Sequence, residues 1–123
     1  MSSFERLDAE TVYSGRIVDV RVERFRHADG EVVSREIVRS RGAIGILAHD
    51  DEHVWLVRQP RETVGRSDLL EIPAGRLDVD GEEPIEAARR ELAEEVGLGA
   101  GVLEPILTYY SSAGFTDERV HLF

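Results

Sequence analysis

Residues 71–98 read "EIPAGRLDVDGEEPIEAARRELAEEVGL". Ile85, Ala88, Leu92 and Val96 recur at helical spacing, which predicts a helix from about Pro84 to Val96 with one apolar stripe. Pro84 suits the first helical position, where a missing N–H costs nothing, and Gly97 suits the residue just past the end. At ~100° per residue, Glu91 and Glu95 fall about 40° apart on one face, with Glu94 farther round toward Ala87. Arg90 precedes Glu94 by one turn, so the two can pair. Ala87 and Ala88 flank the acidic face, and their small side chains are expected to leave room for a ligand. Carboxylates crowded in this way have two readings. One is a solvated surface helix laced with ion pairs. The other is a seat for a hard divalent cation, because oxygen ligands without histidine or cysteine suit Mg²⁺ or Mn²⁺.

The rest of the chain narrows the choice of partners. Its 123 residues fit one domain of ordinary size, and 41% hydrophobic residues suffice for a core. A formal net charge of −10 repels a nucleic-acid backbone, so DNA or RNA binding is not expected. An acidic protein that handles phosphate esters needs a cation to make the approach feasible. No segment is apolar enough to span a membrane, and the polar start "MSSFERLDAE" reads as neither signal nor transit peptide. Without cysteine there is neither a disulfide framework nor a thiolate site, which fits a cytoplasmic location.

Strands are expected on either side of the helix. "TVYSGRIVDVRVERFRH" is rich in β-branched residues, and the Asp29-Gly30 pair after it signals a hairpin into "EVVSREIVRS". "AIGILAHDDEHVWLVRQP" reads as a second hairpin turning at Asp50 and Asp51, with Trp55 in its apolar core. "SDLLEIPAG", "VLEPILTYY" and "RVHLF" read as further strands. The class is therefore α+β, a mixed α/β arrangement of strands around a helix. Residues 1–40 are expected to form an N-terminal subdomain of antiparallel strands, and residues 41–123 the helix-bearing domain. Because "RVHLF" stops without a polar tail, the chain is expected to be truncated at its C-terminus. The four histidines show no metal-ligand spacing.

The quoted run resembles the Nudix hydrolase signature, Gly-x5-Glu-x7-Arg-Glu-U-x-Glu-Glu-x-Gly-U with U a bulky aliphatic. Glu82, Arg90, Glu91, Leu92, Glu94, Glu95, Gly97 and Leu98 stand at its fixed positions. Six residues rather than five separate Gly75 from Glu82, and the extra one falls in the turn-like "RLDVDG", where insertion is tolerated. "REIVRSRGAIGILA", "VRQPRETVGR", "LLEIPAGRLD" and "YYSSAGFTDERVHLF" are similar to the ADP-ribose pyrophosphatase branch of that family.

The resemblance implies a Nudix fold, a mixed sheet sandwiched by helices with the signature as loop–helix–loop. It implies metal-dependent cleavage of ADP-ribose or a related nucleoside diphosphate sugar into AMP and a sugar phosphate. It also implies a homodimer in which the N-terminal strands meet the partner subunit. Glu91, Glu94 and Glu95 would hold Mg²⁺ or Mn²⁺ together with the backbone carbonyl of Ala74, and Arg90 would orient the carboxylates. Arg61, Arg35, Glu36 and Glu118 would contact substrate, with Asp117 weighed beside Glu118. Gly75, Glu82 and Gly97 would serve the loop and the helix end. Glu71, just before "IPAG", would either shape the site or pair with an arginine. Phe25, Tyr13 and Ile17 are the candidates for an adenine platform, with core packing the alternative for each. The branch commonly takes its general base from a loop beyond the reach of this chain. Two other readings stay open: the same chemistry on another nucleotide, and a module that binds a nucleotide without cleaving it.

Overall fold

The computed structural model describes residues 3–99 and 101–123. The chain forms two compact units, one of residues up to Arg41 with Tyr110–Glu118, the other of Gly42–Tyr109 with Arg119–Phe123.

The first unit is built on a three-stranded antiparallel sheet in the order β1 (Phe4–Ser14), β2 (Asp19–His27), β3 (Val32–Arg39). The Asp29-Gly30 turn forms as expected. Gly30 takes φ 90°, a left-handed value that a side chain would strain, and the Asp29 carboxylate accepts the Glu31 N–H at 2.9 Å. Residues 110–118, far away in sequence, return to the end of β3. The Val38 N–H donates to the Phe115 carbonyl at 2.7 Å, and the Thr116 hydroxyl donates to the Val38 carbonyl at 2.7 Å.

One side chain organises this unit. Glu23, in the middle of β2, is fully buried. It accepts hydrogen bonds from Arg6 on β1 at 3.3 Å and from Arg39 on β3 at 2.8 Å. Arg39 also donates to Asp117 at 3.2 Å, whose other oxygen takes the Ser40 N–H at 2.9 Å. A buried carboxylate is costly unless paired, and here its partners come from both neighbouring strands.

The second unit holds the helix. β4 (Ala43–Gly45) lies between β7 (Ala74–Arg76), antiparallel, and β9 (Arg119–Leu122), parallel. β8 (Leu107–Tyr110) completes that mixed sheet in the order β7-β4-β9-β8. β5 (Val57–Arg61) and β6 (Arg66–Glu71) form a separate antiparallel pair joined by a 3-10 turn, Glu62–Val64. α1 runs Pro84–Val96, the bounds expected from sequence. The Glu83 N–H donates to Glu86 at 3.3 Å in a capping box. Gly97 ends the helix at φ 69°, its N–H returning to the Ala93 carbonyl at 3.0 Å. Among the described residues, no helix is long and apolar enough to cross a membrane.

Three expectations need correction. Ala87 and Ala88 do not leave space for a ligand. Both are fully buried and join Ile44, Ile46, Ala48 and Leu92 in the core. Their small side chains let the helix approach the sheet closely. The second hairpin turns at Asp50 and Asp51, where the Asp50 carboxylate accepts the Glu52 and His53 N–H groups, but its arms pair only around the His49–Val54 bridge. β5 takes β6 as its partner instead. Trp55 lies outside any strand, half-buried against the core.

Burial alone would push the Glu23 carboxyl up; the hydrogen bonds from Arg39 and Arg6 outweigh it and hold the group below its ordinary range. A lowered folded value means that the pairing stabilises above the ordinary glutamate range and fades as pH falls through it. Glu23→Ala should therefore cost about 3 kcal/mol at neutral pH, the low end for a broken buried pair because both arginines reach solvent. Denaturant unfolding should show that loss shrinking toward pH 3. An equal loss at both pH values would remove Glu23 from this role.

Candidate active site

The helix gathers its acids around one guanidinium. Arg90 Nε and Nη2 grip both oxygens of Glu82 at 3.1 and 3.0 Å, a bidentate pair that ties the loop before the helix to its second turn. Its Nη1 donates to Glu91 at 3.0 Å and to Glu94 at 3.4 Å. The hydrogen bond that Arg90 donates to Glu82 leads the causes that raise Arg90 above its ordinary basicity. Glu95 accepts the backbone N–H of Ala74 at 3.0 Å, which links the helix to the start of β7. The Ala74 group that meets the helix acids here is thus its amide N–H.

Glu91 is the strained member. Burial pushes its carboxyl up; Arg90 opposes this, while the charges of Glu94 and Glu95 add to it. Its carboxylate lies over Gly75, where a Cβ would come within 2.4 Å of the Glu91 carboxyl carbon. Gly75 is thus a cradle for Glu91, required by close approach rather than by backbone freedom.

Arg61 closes the other side. It donates from Nε to Glu71 at 2.9 Å, and it also feels the charge of Glu95. Arg61, Glu71, Ala74, Gly75, Glu82, Arg90, Glu91, Glu94 and Glu95 all belong to the second unit.

The remaining candidates lie in the first unit. Arg35 lines a cavity of about 500 Å³ with Phe4, Phe25, Tyr110 and Phe115. Phe4 and Phe25 meet edge-to-face at 5.5 Å. Glu36, next to Arg35 on β3, points to the opposite face of the sheet by strand alternation. Tyr13 and Ile17 are exposed and line no part of that cavity. It is Asp117, not Glu118, that makes the ion pair with Arg39. The burial of Glu23 is not legible in the sequence, because a charged residue at alternate spacing in "DVRVERF" reads as a solvent face.

Among the described residues, the one group of histidine and carboxylate ligand atoms within 4.8 Å of one another is His27, Asp29 and Glu31, on the β2–β3 turn. The turn's own bonds account for it: Glu31 pairs with His27 at 3.8 Å and gives its N–H to Asp29. The helix acids are more widely spread. Arg90 draws Glu91 and Glu94 to itself, while Glu95 turns to the Ala74 amide. The set still fits a hard divalent cation: every side-chain donor is a carboxylate oxygen, one is destabilised by burial and like charge, and Gly75 leaves the space that a larger residue would fill.

A family model for the NUDIX domain matches residues 38–123. The chain belongs to the Nudix family. It is 42% identical over 121 residues to an ADP-ribose pyrophosphatase of Mycobacterium tuberculosis, covering 98% of this chain and 58% of that protein. It is 44% identical over 115 residues to one of Bacillus subtilis, covering 93% and 61%. It is 37% identical over 118 residues to a methanol dehydrogenase activator of Bacillus methanolicus, covering 95% and 63%. The crystal structure of an ADP compounds hydrolase superposes with a TM-score of 0.78 at 29% identity, covering 97% of this chain and 64% of that one. The chain thus has the Nudix fold, and it spans about three fifths of the length of the curated relatives it matches. The Nudix signature is the stretch that carries Gly75, Glu82, Arg90, Glu91, Glu94 and Glu95.

Gly75→Ala should force the flexible Glu91 side chain aside at little cost in stability. Calorimetric titration with Mn²⁺ should then show affinity reduced about 10-fold or more, while the melting temperature in EDTA scarcely moves. Unchanged Mn²⁺ affinity would mean that the Glu91–Gly75 contact has no part in the site.

Proposed function

We propose that this chain is the catalytic part of a divalent-cation-dependent pyrophosphohydrolase that cleaves ADP-ribose or a related nucleoside diphosphate sugar to AMP and a sugar phosphate. The observation that carries this reading is the acidic side of α1, where Arg90 holds Glu91 and Glu94, Glu95 takes the Ala74 amide, and Arg61 feels the charge of Glu95. The similarity to ADP-ribose pyrophosphatases supports the substrate class.

Hydrolysis of a diphosphate joins a water oxygen to one phosphorus, breaks that phosphorus–oxygen bridge, and leaves the bridging oxygen on the other phosphate. The linked phosphates are anionic and repel a protein of net charge −10. Mg²⁺ or Mn²⁺, held by Glu91, Glu94, Glu95 and the Ala74 carbonyl, would supply the charge that stabilises the phosphate oxygens. Arg90 holds Glu91 and Glu94 in place. Glu82 fixes Arg90. Gly75 admits the Glu91 carboxylate, and Gly97 ends the helix that carries it. Arg61 offers a guanidinium to phosphate oxygens.

In the first unit, the cavity with Arg35, Phe25 and Phe4 suits an adenine ring beside a cation. Glu36 and Glu118 are assigned to substrate contact by likeness to the ADP-ribose branch. The long exposed strand β1 would supply contacts to the partner subunit. The absence of cysteine suits work in the cytoplasm. A module that only binds a nucleotide has no need of the complete Arg90, Glu91, Glu94, Glu95 set.

The test is product analysis with Mg²⁺ against ADP-ribose, other nucleoside diphosphate sugars and nucleoside triphosphates. Release of AMP and ribose 5-phosphate from ADP-ribose, stopped by EDTA, supports the reading; tight binding without products contradicts it. Glu95→Gln should lower kcat by a factor on the order of 100 or more with an unchanged circular dichroism spectrum. Wild-type turnover in that variant would remove Glu95 from the site.

A further inference from the structure

We propose that Glu71 is a positioning residue. It holds Arg61 by Nε, keeps that guanidinium off Glu95, and leaves the terminal amino groups of Arg61 free for the substrate's diphosphate oxygens. This rests on the hydrolase reading above.

The geometry begins in the β5–β6 pair. Arg61 is the last residue of β5 and Glu71 the last of β6. The ladder slips between Gln59 and Arg61, at Pro60, which has no N–H to give it. Arg61 ends opposite Arg66, and its side chain reaches back to Glu71, at 2.9 Å. A guanidinium has five N–H donors in a planar fork, and Glu71 takes only the one at Nε. Arg61 has no other hydrogen-bond partner among the described residues. The two terminal nitrogens are thus the free end of a tethered fork.

The tether has a second consequence. Besides Glu71, the acids whose charge Arg61 feels are Glu95 and Glu62. Glu95 is needed on the cation side, where it already takes the Ala74 amide. An Arg61 released from Glu71 would settle on Glu95 and compete directly with a cation for that carboxylate. Glu71 acts as a counter-ion that satisfies Arg61 from behind. The side chain of Glu71 is 23% exposed and that of Arg61 42%, so Arg61 keeps solvent access for an incoming phosphate while its anchor is shielded.

The experiment compares wild type, Glu71→Gln, Glu71→Ala and the double variant Glu71→Ala/Arg61→Ala, each checked for wild-type circular dichroism. Mn²⁺ affinity is measured by calorimetry without substrate, and KM and kcat with ADP-ribose and Mg²⁺. Glu71→Ala should weaken Mn²⁺ binding about 5-fold and raise KM about 10-fold with kcat nearly unchanged. Adding Arg61→Ala should restore Mn²⁺ affinity but not KM, the non-additive signature of a released competitor. Glu71→Gln, which keeps an acceptor without the charge, should fall between. Wild-type Mn²⁺ affinity in Glu71→Ala, or no recovery in the double variant, overturns the role of Glu71. A wild-type chain that binds Mn²⁺ but cleaves no diphosphate sinks the hydrolase reading alone, since the Mn²⁺ comparison still decides whether Glu71 restrains Arg61.

Discussion

Arg90 is the constraint on which the site depends. Three acids of the Nudix signature touch it, and the bidentate bond to Glu82 makes it an anchored cation rather than a mobile surface charge. Without that anchor, Glu91, Glu94 and Glu95 on adjacent turns would repel one another and rotate apart into water. With it, two of them are held at the cost of keeping negative charge partly buried. Glu91 bears that cost most clearly, since burial outweighs the help that Arg90 gives it. A site in this condition is prepared for a cation.

The two units solve the same electrostatic problem with different outcomes. Glu23 is fully buried, yet arginines from two strands hold it ionised below its ordinary range. Glu91 is less buried and has one arginine shared with two other acids, so its carboxyl is pushed up. The ratio of cations to carboxylates decides the sign. Glu23 is satisfied within the fold and serves structure; Glu91 is left with a deficit that suits function.

Local chemistry was legible in the sequence, and distant pairing was not. Pro84, the apolar period and Gly97 define α1 because caps and periodicity act within a few residues. Asp29-Gly30 defines its hairpin for the same reason. The parallel pairing of β4 with β9, and the return of residues 110–118 to β3, join segments with no shared local signal. Ala87 and Ala88 misled because small residues suit both a ligand-facing surface and a tight helix–sheet contact, and spacing alone does not separate the two. Of the candidate site, the signature names Arg90, Glu91, Glu94, Glu95, Glu82 and Gly75, and the structure shows the bonds of Arg90 to Glu82, Glu91 and Glu94. The sequence offers Glu71 an unspecified arginine as one of two alternatives, and the structure supplies Arg61; the burial of Glu23 is hidden by its alternating, polar-looking strand.

The central claim is that the acidic face of α1 is under strain that a divalent cation relieves. Melting wild type and Glu91→Gln at neutral pH, in EDTA and in Mg²⁺, tests it most directly. A carboxyl whose folded value is raised destabilises the fold while ionised, so the neutral variant should melt higher than wild type in EDTA. Mg²⁺ should then raise the melting temperature of wild type well above any shift in the variant. A variant that melts below wild type in EDTA, with the same Mg²⁺ shift in both proteins, would contradict the account.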